Sequence, residues 1–199
     1  MKLFKLIAPA LIAILFSMSV KGQQKATDFL SIPGPVQFDN ASWRLNWSSH
    51  PNANYYKQEY LTPGDQTDKY KRMLMIDYIA GSYAVKDIAG IKLNELKKLK
   101  ETNPIVQFQM YENNGEIILD FLLSANDNKG SVAIIERNIY RYRSVTDSSG
   151  NPGVVLFGLS ERGYAPDIEK FLTDLKSNIQ TSLNAVAAFN IPQVNLKSK

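Results

Sequence analysis

The 199-residue sequence predicts an α+β fold, in which two main helices pack on an antiparallel β-sheet of about six or seven strands. Three observations carry this prediction. Several short segments alternate between apolar and polar residues, Gly-, Asn- and Pro-containing turns separate consecutive segments of that kind, and only two segments repeat their apolar residues at helical spacing. Strands that follow one another directly, with helices set apart from them, are typical of an antiparallel sheet with packed helices.

The first half of the chain supplies four of the predicted extended segments. A short one covers 36–38, before the turn at Asp39 and Asn40. Residues 41–47 alternate, which predicts a half-buried strand with Trp43, Leu45 and Trp47 on one face. Residues 48–54 are predicted as a loop. The strands 55–61 and 73–80 follow, and the second of them is apolar except for an acid, Asp77.

The second half contains both helices and four consecutive strands. The first helix is predicted over 87–100 and ends before Pro104, because the residue before a proline is disfavoured in the helical region. Strands are predicted over 105–112, 116–124, 131–145 and 154–162, with an Asn-Gly hairpin signal at 114–115. The second helix begins after Pro166 and could extend to Phe189. Its core stripe is Ile168, Phe171, Leu172, Leu175 and Ile179.

Residues 1–22 are predicted to be a cleavable signal peptide. Lys2 and Lys5 precede an apolar run over 6–20, and a small residue, Gly22, stands at the proposed cleavage point. The run is shorter than the roughly 20 apolar residues that a spanning helix needs. We therefore expect a protein of the periplasm or a secreted protein, without a transmembrane segment after cleavage. The chain contains no cysteine, so attachment as a lipoprotein is excluded.

Cleavage also changes the charge balance. The chain has 23 basic and 19 acidic side chains, and Lys2, Lys5 and Lys21 would leave with the leader. The remaining 20 bases and 19 acids give a net charge of +1. Nucleic-acid binding depends on clustered positive charge, so the near-neutral remainder gives no support for a nucleic-acid partner.

The remaining sequence predicts a single domain over 32–192, between a flexible spacer over 23–31 and a loose tail over 193–199. No cofactor signature is present. The absence of cysteine means that a packed core must supply the stability, and a chain with one histidine, His50, cannot build a metal site from several histidines.

The most unusual stretch lies between Trp47 and Tyr60. Aromatic side chains in and beside a loop can form a platform for a ligand, since each offers an apolar face and a polar edge. The alternative is that these side chains are core residues of two neighbouring strands, with His50 capping a turn. The candidate binding residues are Trp47, His50, Tyr55, Tyr56, Lys57 and Glu59.

Two further sets of side chains have a functional and a structural interpretation. His50 could act as a general base with a nearby carboxylate such as Glu59, although no Gly-x-Ser-x-Gly elbow accompanies it. Arg137, Arg141 and Arg143 fall on one face of a predicted strand and could bind a carboxylate, a phosphate or an acidic partner. The same arginines could instead pair with acids of adjacent strands on a solvated face.

Two resemblances extend this interpretation. The order of the elements resembles that of the Mog1/PsbP-like fold, which implies an α/β/α sandwich and an accessory or binding role. The segments Ile32-Pro33-Gly34-Pro35, Trp47-Ser48-Ser49-His50-Pro51 and Tyr55-Tyr56-Lys57-Gln58-Glu59-Tyr60-Leu61 resemble a group of small exported bacterial proteins. That resemblance implies export and a single domain, and it implies no activity.

The sequence therefore favours an exported, non-enzymatic protein that binds a partner in the cell envelope or a small ligand. One alternative is a periplasmic enzyme of the hydrolase type that uses His50 with a carboxylate. Another is a structural accessory domain of an envelope complex.

Overall fold

The α+β prediction is confirmed by a computed structural model, which describes residues 26–196. The predicted signal peptide lies outside the described residues. One antiparallel sheet contains eight strands in the order β1-β2-β3-β4-β8-β7-β6-β5. The strands and helices are β1 (Val36–Phe38), β2 (Ala41–Asn52), β3 (Tyr55–Leu61), β4 (Arg72–Ala80), α1 (Val85–Lys100), β5 (Gln107–Asn113), β6 (Glu116–Asn126), β7 (Val132–Thr146), β8 (Pro152–Tyr164) and α2 (Ile168–Ala188).

The sheet has eight strands, slightly more than the six or seven expected. The short segment β1 counts as a strand because it pairs along its whole length with the start of β2, from Val36 opposite Trp43 to Phe38 opposite Ala41. The two helices form where the apolar spacing predicted them, with α1 starting two residues earlier than expected, at Val85.

The helices cover opposite faces of the sheet. On the face that we call the α2 face, Leu183 and Val186 of α2 pack with Ile139, Val155 and Phe157 of the central strands. On the α1 face, Ala89 and Leu96 of α1 share a smaller core with residues of β6, β7 and β8, among them Leu119, Tyr142 and Leu156. The result is a three-layer arrangement, helix, sheet, helix, with both faces of the central strands buried.

Both ends of the described chain join the α2 face, which corrects the spacer and tail boundaries. Leu30, expected in the flexible spacer over 23–31, is fully buried, and Val194, expected in the loose tail over 193–199, is buried in the same core. The backbone N–H of Asn195 donates to the carbonyl of Leu30 at 3.0 Å. The packed part of the chain is therefore wider than 32–192.

Strand β2 differs from its prediction in length and in regularity. Residues 48–52, expected in a loop, continue the strand to Asn52, which pairs with Tyr55 across a tight turn. The register with β3 shifts between Leu45 and Trp47, where an extra residue forms a β-bulge. A shift of one residue moves every later side chain to the other face. Trp43 is consequently buried on the α2 face, whereas Trp47 lies on the α1 face and not on the same face as Trp43.

Within residues 26–196, neither α1 nor α2 is long and apolar enough to cross a membrane.

Candidate functional site

The structure brings four of the six predicted platform residues to one face of the sheet. Tyr55, Lys57 and Glu59 alternate along β3, and Trp47 stands opposite Glu59 on β2. On the other side of β3, Lys57 is paired with Asp77 of β4. We call this group the Trp47 site. Its members are Trp47, Tyr55, Lys57, Glu59 and Asp77.

Lys57 lies between the exposed Trp47 and the buried carboxyl groups of Glu59 and Asp77. Its Nζ lies 2.8 Å from Oε1 of Glu59 and 5.8 Å from the centre of the Trp47 ring. Trp47 is 41% exposed, whereas Glu59 is buried. Burial disfavours the charged form of Lys57, but the carboxylates of Asp77 and Glu59 outweigh it and raise the pKa of the ammonium. Lys57 is therefore held as a cation beneath an accessible indole.

Asp77 forms the floor of the Trp47 site. Its side chain is buried, and its Oδ2 accepts a hydrogen bond of 2.5 Å from the hydroxyl of Tyr55. The other oxygen, Oδ1, is buried with no hydrogen-bond partner in the described part of the chain. Burial raises the pKa of Asp77 to about 6, against the opposing effects of Lys57 and the Tyr55 hydrogen bond. A carboxyl with such a pKa changes charge in the range where many binding and proton-transfer groups operate.

Further tyrosines extend the buried polar layer beside Asp77. Burial raises the pKa of Tyr140 and of Tyr142 on β7, so both hydroxyls stay neutral. Tyr70 donates to Oε2 of Glu136 at 2.8 Å and lies under the guanidinium of Arg162, 4.0 Å from its ring centre. The α1 face thus carries several buried hydroxyls and carboxylates beside Asp77.

Two segments approach the Trp47 site from outside the sheet. The connection between β3 and β4 reaches β2, where Nδ2 of Asn46 donates to Oγ1 of Thr67 at 2.5 Å. That connection also buries Tyr70 against Met73 and Met75 of β4. From the other side, Lys92 of α1 is one of the charges that lower the pKa of Asp77. The Trp47 site is therefore bordered by the β3–β4 connection on one side and by the charge of Lys92 on the other.

The other two platform residues, His50 and Tyr56, lie on the opposite face. Their rings stack at a centroid distance of 4.0 Å with 9° between the planes, and the ring of Phe29 lies 5.6 Å from His50. Nδ1 of His50 lies 3.0 Å from the carbonyl oxygen of Tyr55. These contacts serve to hold the N-terminal segment to the sheet. Glu59, the carboxylate that the sequence offered to His50, faces away from it.

The three arginines lie beside acids of adjacent strands, as the structural alternative expected, but Arg137 and Arg141 are buried beneath α2 and do not form a solvated face. Arg137 makes a bidentate pair with Asp120, at 2.9 and 2.8 Å, and donates to the carbonyl of Ile179 within α2 at 2.8 Å. Arg141 bonds Glu116 at 2.6 Å. Arg143 is partly exposed, with its Nε 4.0 Å from Glu116. The acids on β6 therefore neutralise this row, and no open cluster of guanidinium groups forms.

Arg141 has an additional structural role at the end of α2. Its Nη1 donates to the carbonyls of Val186 and Phe189, at 3.2 and 2.8 Å. The last turn of α2 contains no basic residue of its own. A cation near the C-terminal carbonyls of a helix is favourable, and here the neighbouring strand provides it.

Two surface cavities lie away from the Trp47 site. One, of about 250 Å³, borders the β5–β6 hairpin and includes Tyr111, Glu116 and Arg141. The other, of about 300 Å³, lies beside the β7–β8 turn near Tyr83 and Pro152. Among the residues from 26 to 196, no group of three or more His, Asp or Glu side chains could hold a metal ion.

The platform prediction missed two residues that organise this region. Asp77 could have been found, because an acid inside the apolar strand 73–80 is a buried carboxyl that needs a partner. Gln58 gave no such signal. It is fully buried on the α2 face, and its Oε1 accepts from the backbone N–H groups of Phe29 and Leu30 at 2.7 and 3.0 Å.

Comparison with known proteins relates the chain to a protein family. No curated protein matches the chain. One family model matches residues 30–191, which extend from the buried Leu30 before β1 to the buried Ile191 after α2. The matched part includes every strand and both helices. The chain belongs to this uncharacterised protein family.

Proposed function

We propose that this chain is an exported bacterial protein that binds an envelope partner or a small ligand without chemistry of its own, and that the Trp47 site is its binding surface. The observation that carries the proposal is the exposure of Trp47 beside the ion pair of Lys57 and Glu59. The apolar run over 6–20 of the predicted leader supports export, and the helix–sheet–helix layers support a Mog1/PsbP-like architecture.

The chemistry of the Trp47 site suits a ligand with an apolar face and polar edges. An indole offers a large rigid contact area at little cost in side-chain entropy. Lys57 and Glu59 place a donor and an acceptor 2.8 Å apart next to that ring. A bound group with hydroxyl or carboxylate substituents could exchange hydrogen bonds with this pair while its apolar side covers Trp47.

The geometry gives less support to the alternative of a hydrolase that uses His50. A general base needs an orienting group and access to the substrate proton. The ring of His50 is stacked on Tyr56 and lies near Phe29, and the Trp47 site with its carboxylates is on the opposite face of the sheet. Assays against ester, peptide and glycan panels with wild type and His50→Ala test this alternative. A rate that falls in the variant would favour the enzyme.

Fluorescence offers a direct test of the binding proposal. Trp43 is fully buried and Trp47 is 41% exposed, so acrylamide quenching reports mainly on Trp47. We expect a member of a panel of envelope glycan fragments and short peptides to protect Trp47 from the quencher. Trp47→Ala should weaken the binding of that ligand, measured by calorimetry, by about tenfold or more, as central aromatic contacts commonly do.

The matched control is Ile179→Ala, which removes another exposed apolar side chain, from α2 on the opposite face of the sheet, and should leave the affinity unchanged. An affinity that is equal in wild type, Trp47→Ala and Lys57→Gln would contradict the location of the site. A complete lack of binding across the panel would favour the structural accessory role.

A further inference from the structure

Strand β5 forms one edge of the sheet and is open along its whole length. Within the part of the chain that the structure describes, β5 pairs with β6 alone. All of its residues except Phe108 are exposed. An open edge presents unpaired backbone N–H and C=O groups, and protective features such as a proline, a lysine or a bulge commonly blunt it. The sequence of β5, Gln-Phe-Gln-Met-Tyr-Glu-Asn, contains neither proline nor lysine, and its pairing with β6 has no register shift.

The hairpin turn determines which backbone groups point outward. Asn114 and Gly115 both have positive φ, 50° and 78°, as a two-residue type I′ turn requires. Such a turn joins the carbonyl of Asn113 to the N–H of Glu116, so this pair is a hydrogen-bonded one. Hydrogen-bonded and non-hydrogen-bonded pairs alternate along an antiparallel ladder. The backbone groups that face away from β6 therefore belong to Phe108, Met110 and Glu112.

We propose that β5 is a homodimer interface, at which the same strand of a second copy pairs antiparallel with it and joins the two sheets. Self-pairing requires outward-facing residues to stand opposite one another. When Met110 stands opposite Met110 of the second copy, Phe108 of each copy stands opposite Glu112 of the other. That register uses all three outward residues of each strand, whereas a shift of two residues in either direction leaves one of them unpaired.

The side chains favour the same register. Nζ of Lys100, at the end of α1, lies 5.4 Å from the centre of the Phe108 ring. Glu112 of the second copy would stand opposite Phe108 and so approach Lys100, and symmetry creates this ion pair twice. Within one chain, Phe108 and Glu112 are four residues apart on a strand, about 13 Å at the rise of a β-strand. Only a second copy brings the two charges together.

The centre of the interface is apolar and the two acids stay apart. Met110 is 43% exposed and would pack against Met110 of the second copy across the symmetry axis. Tyr111, also exposed, would face Gln109 of the second copy on the α2 face of the extended sheet. The proposal concerns the edge of the sheet at the far end from β2 and does not depend on the Trp47 site.

Charge reversal tests the proposal. We expect the purified protein to show a concentration-dependent dimer in sedimentation analysis. Lys100→Glu and Glu112→Lys should each raise the dimer dissociation constant by about tenfold, since the two attractions between Lys100 of one copy and Glu112 of the other become repulsions. The double variant should return to within about threefold of wild type, because the pair is restored with its signs exchanged. Ile91→Lys, which changes an exposed residue on α1, is the control and should dimerise normally.

Crosslinking tests the register independently, because the chain has no cysteine of its own. Opposed residues of a hydrogen-bonded pair have Cα atoms about 5.5 Å apart, which a disulfide can bridge. Met110→Cys should therefore form a covalent dimer under mild oxidation, and Ile91→Cys should not. A protein that stays monomeric at every concentration, with no Met110→Cys dimer above the Ile91→Cys background, would overturn the proposal. A dimer that is indifferent to both charge reversals would overturn it as well.

Discussion

Asp77 lies in an environment that differs strongly from that of an aspartate in water. Burial raises its pKa to about 6, so the folded protein holds a proton that the unfolded chain releases at about pH 4. The stabilisation is complete below about pH 4 and is lost as the pH rises through 6. We expect wild type to lose up to about 3 kcal/mol of unfolding free energy over this interval relative to Asp77→Asn, as urea titrations at a series of pH values would show.

A second pair of variants shows whether this pH dependence belongs to Asp77. The Tyr55 hydroxyl donates to the carboxylate and so lowers its pKa. Tyr55→Phe should therefore move the loss of stability to a higher pH. Tyr56→Phe, one residue along β3 on the other face, should leave the midpoint where it is. Parallel stability curves for wild type and Asp77→Asn would disprove the assignment.

Arg137 illustrates a different consequence of burial. Its guanidinium neutralises Asp120 and Glu161 and bonds a carbonyl of α2. Removing one partner of a buried ion pair leaves an uncompensated charge, and we expect Arg137→Ala to cost about 3–5 kcal/mol of unfolding free energy in urea denaturation. Arg143→Ala, from the exposed end of the same row, should cost less than about 1 kcal/mol. Equal losses would mean that the row is solvated, as the sequence alone allowed.

At the scale of single elements, the sequence predicted much of the fold. Apolar spacing located both helices, and alternation with turn residues located the strands of the second half to within a few residues. The bulge in β2 could not be predicted in this way, because the alternation of apolar and polar residues continues through the inserted residue as it would in a regular strand. Trp43, Leu45 and Trp47 share one parity, yet Trp47 points to the other face.

Only part of the candidate site could be predicted from the sequence. Tyr55, Lys57 and Glu59 alternate on a regular strand, so their shared face follows from spacing alone. The partners of these residues come from other strands, and Asp77 meets Lys57 only through the pairing of β3 with β4. His50 was grouped with Glu59 by proximity in sequence, whereas the two belong to opposite faces of the sheet.

The packing of α2 on β8 depends on a residue without a side chain. A Cβ added to Gly163 would lie 2.4 Å from Cγ of Phe171, which is closer than any real contact. We expect Gly163→Ala to cost about 1–3 kcal/mol of unfolding free energy, because the start of α2 must move away. Gly90→Ala has open space inside α1 and should instead stabilise the protein by about 0.5–1 kcal/mol.

Thermal denaturation in parallel with urea would compare the two glycine variants. In the Phe171→Ala background, Gly163→Ala should cost less than it does in wild type, because the overlaps with Cγ and Cδ1 are gone and only the approach to Cβ at 2.6 Å remains. If Gly163→Ala were neutral, the approach of α2 to β8 would be looser than the structure shows.

At the scale of the whole molecule, the two ends of the described chain form one unit. Residues 29–32 bind Gln58 and Tyr60 on β3, and the hydroxyl of Ser31 donates to the carbonyl of Asn195 at 2.9 Å. Val194 accepts a backbone hydrogen bond from Ser148 in the β7–β8 turn. The segments that precede β1 and follow α2 therefore cover each other and close the α2 face where the helix ends.

This arrangement predicts that a few residues after α2 stabilise the entire fold. A chain ending at Leu196 keeps the buried Val194 and both bonds of Asn195, whereas a chain ending at Gln193 loses them. Burial of a valine contributes about 1.5–3 kcal/mol, and the shorter chain also exposes part of Leu30. We expect the shorter chain to be less stable than the longer one by at least about 2 kcal/mol in urea, with hydrogen exchange accelerated at Leu30. Equal stability and equal protection at Leu30 would show that Gln58 and Tyr60 hold the N-terminal segment to β3 without help from the segment after α2.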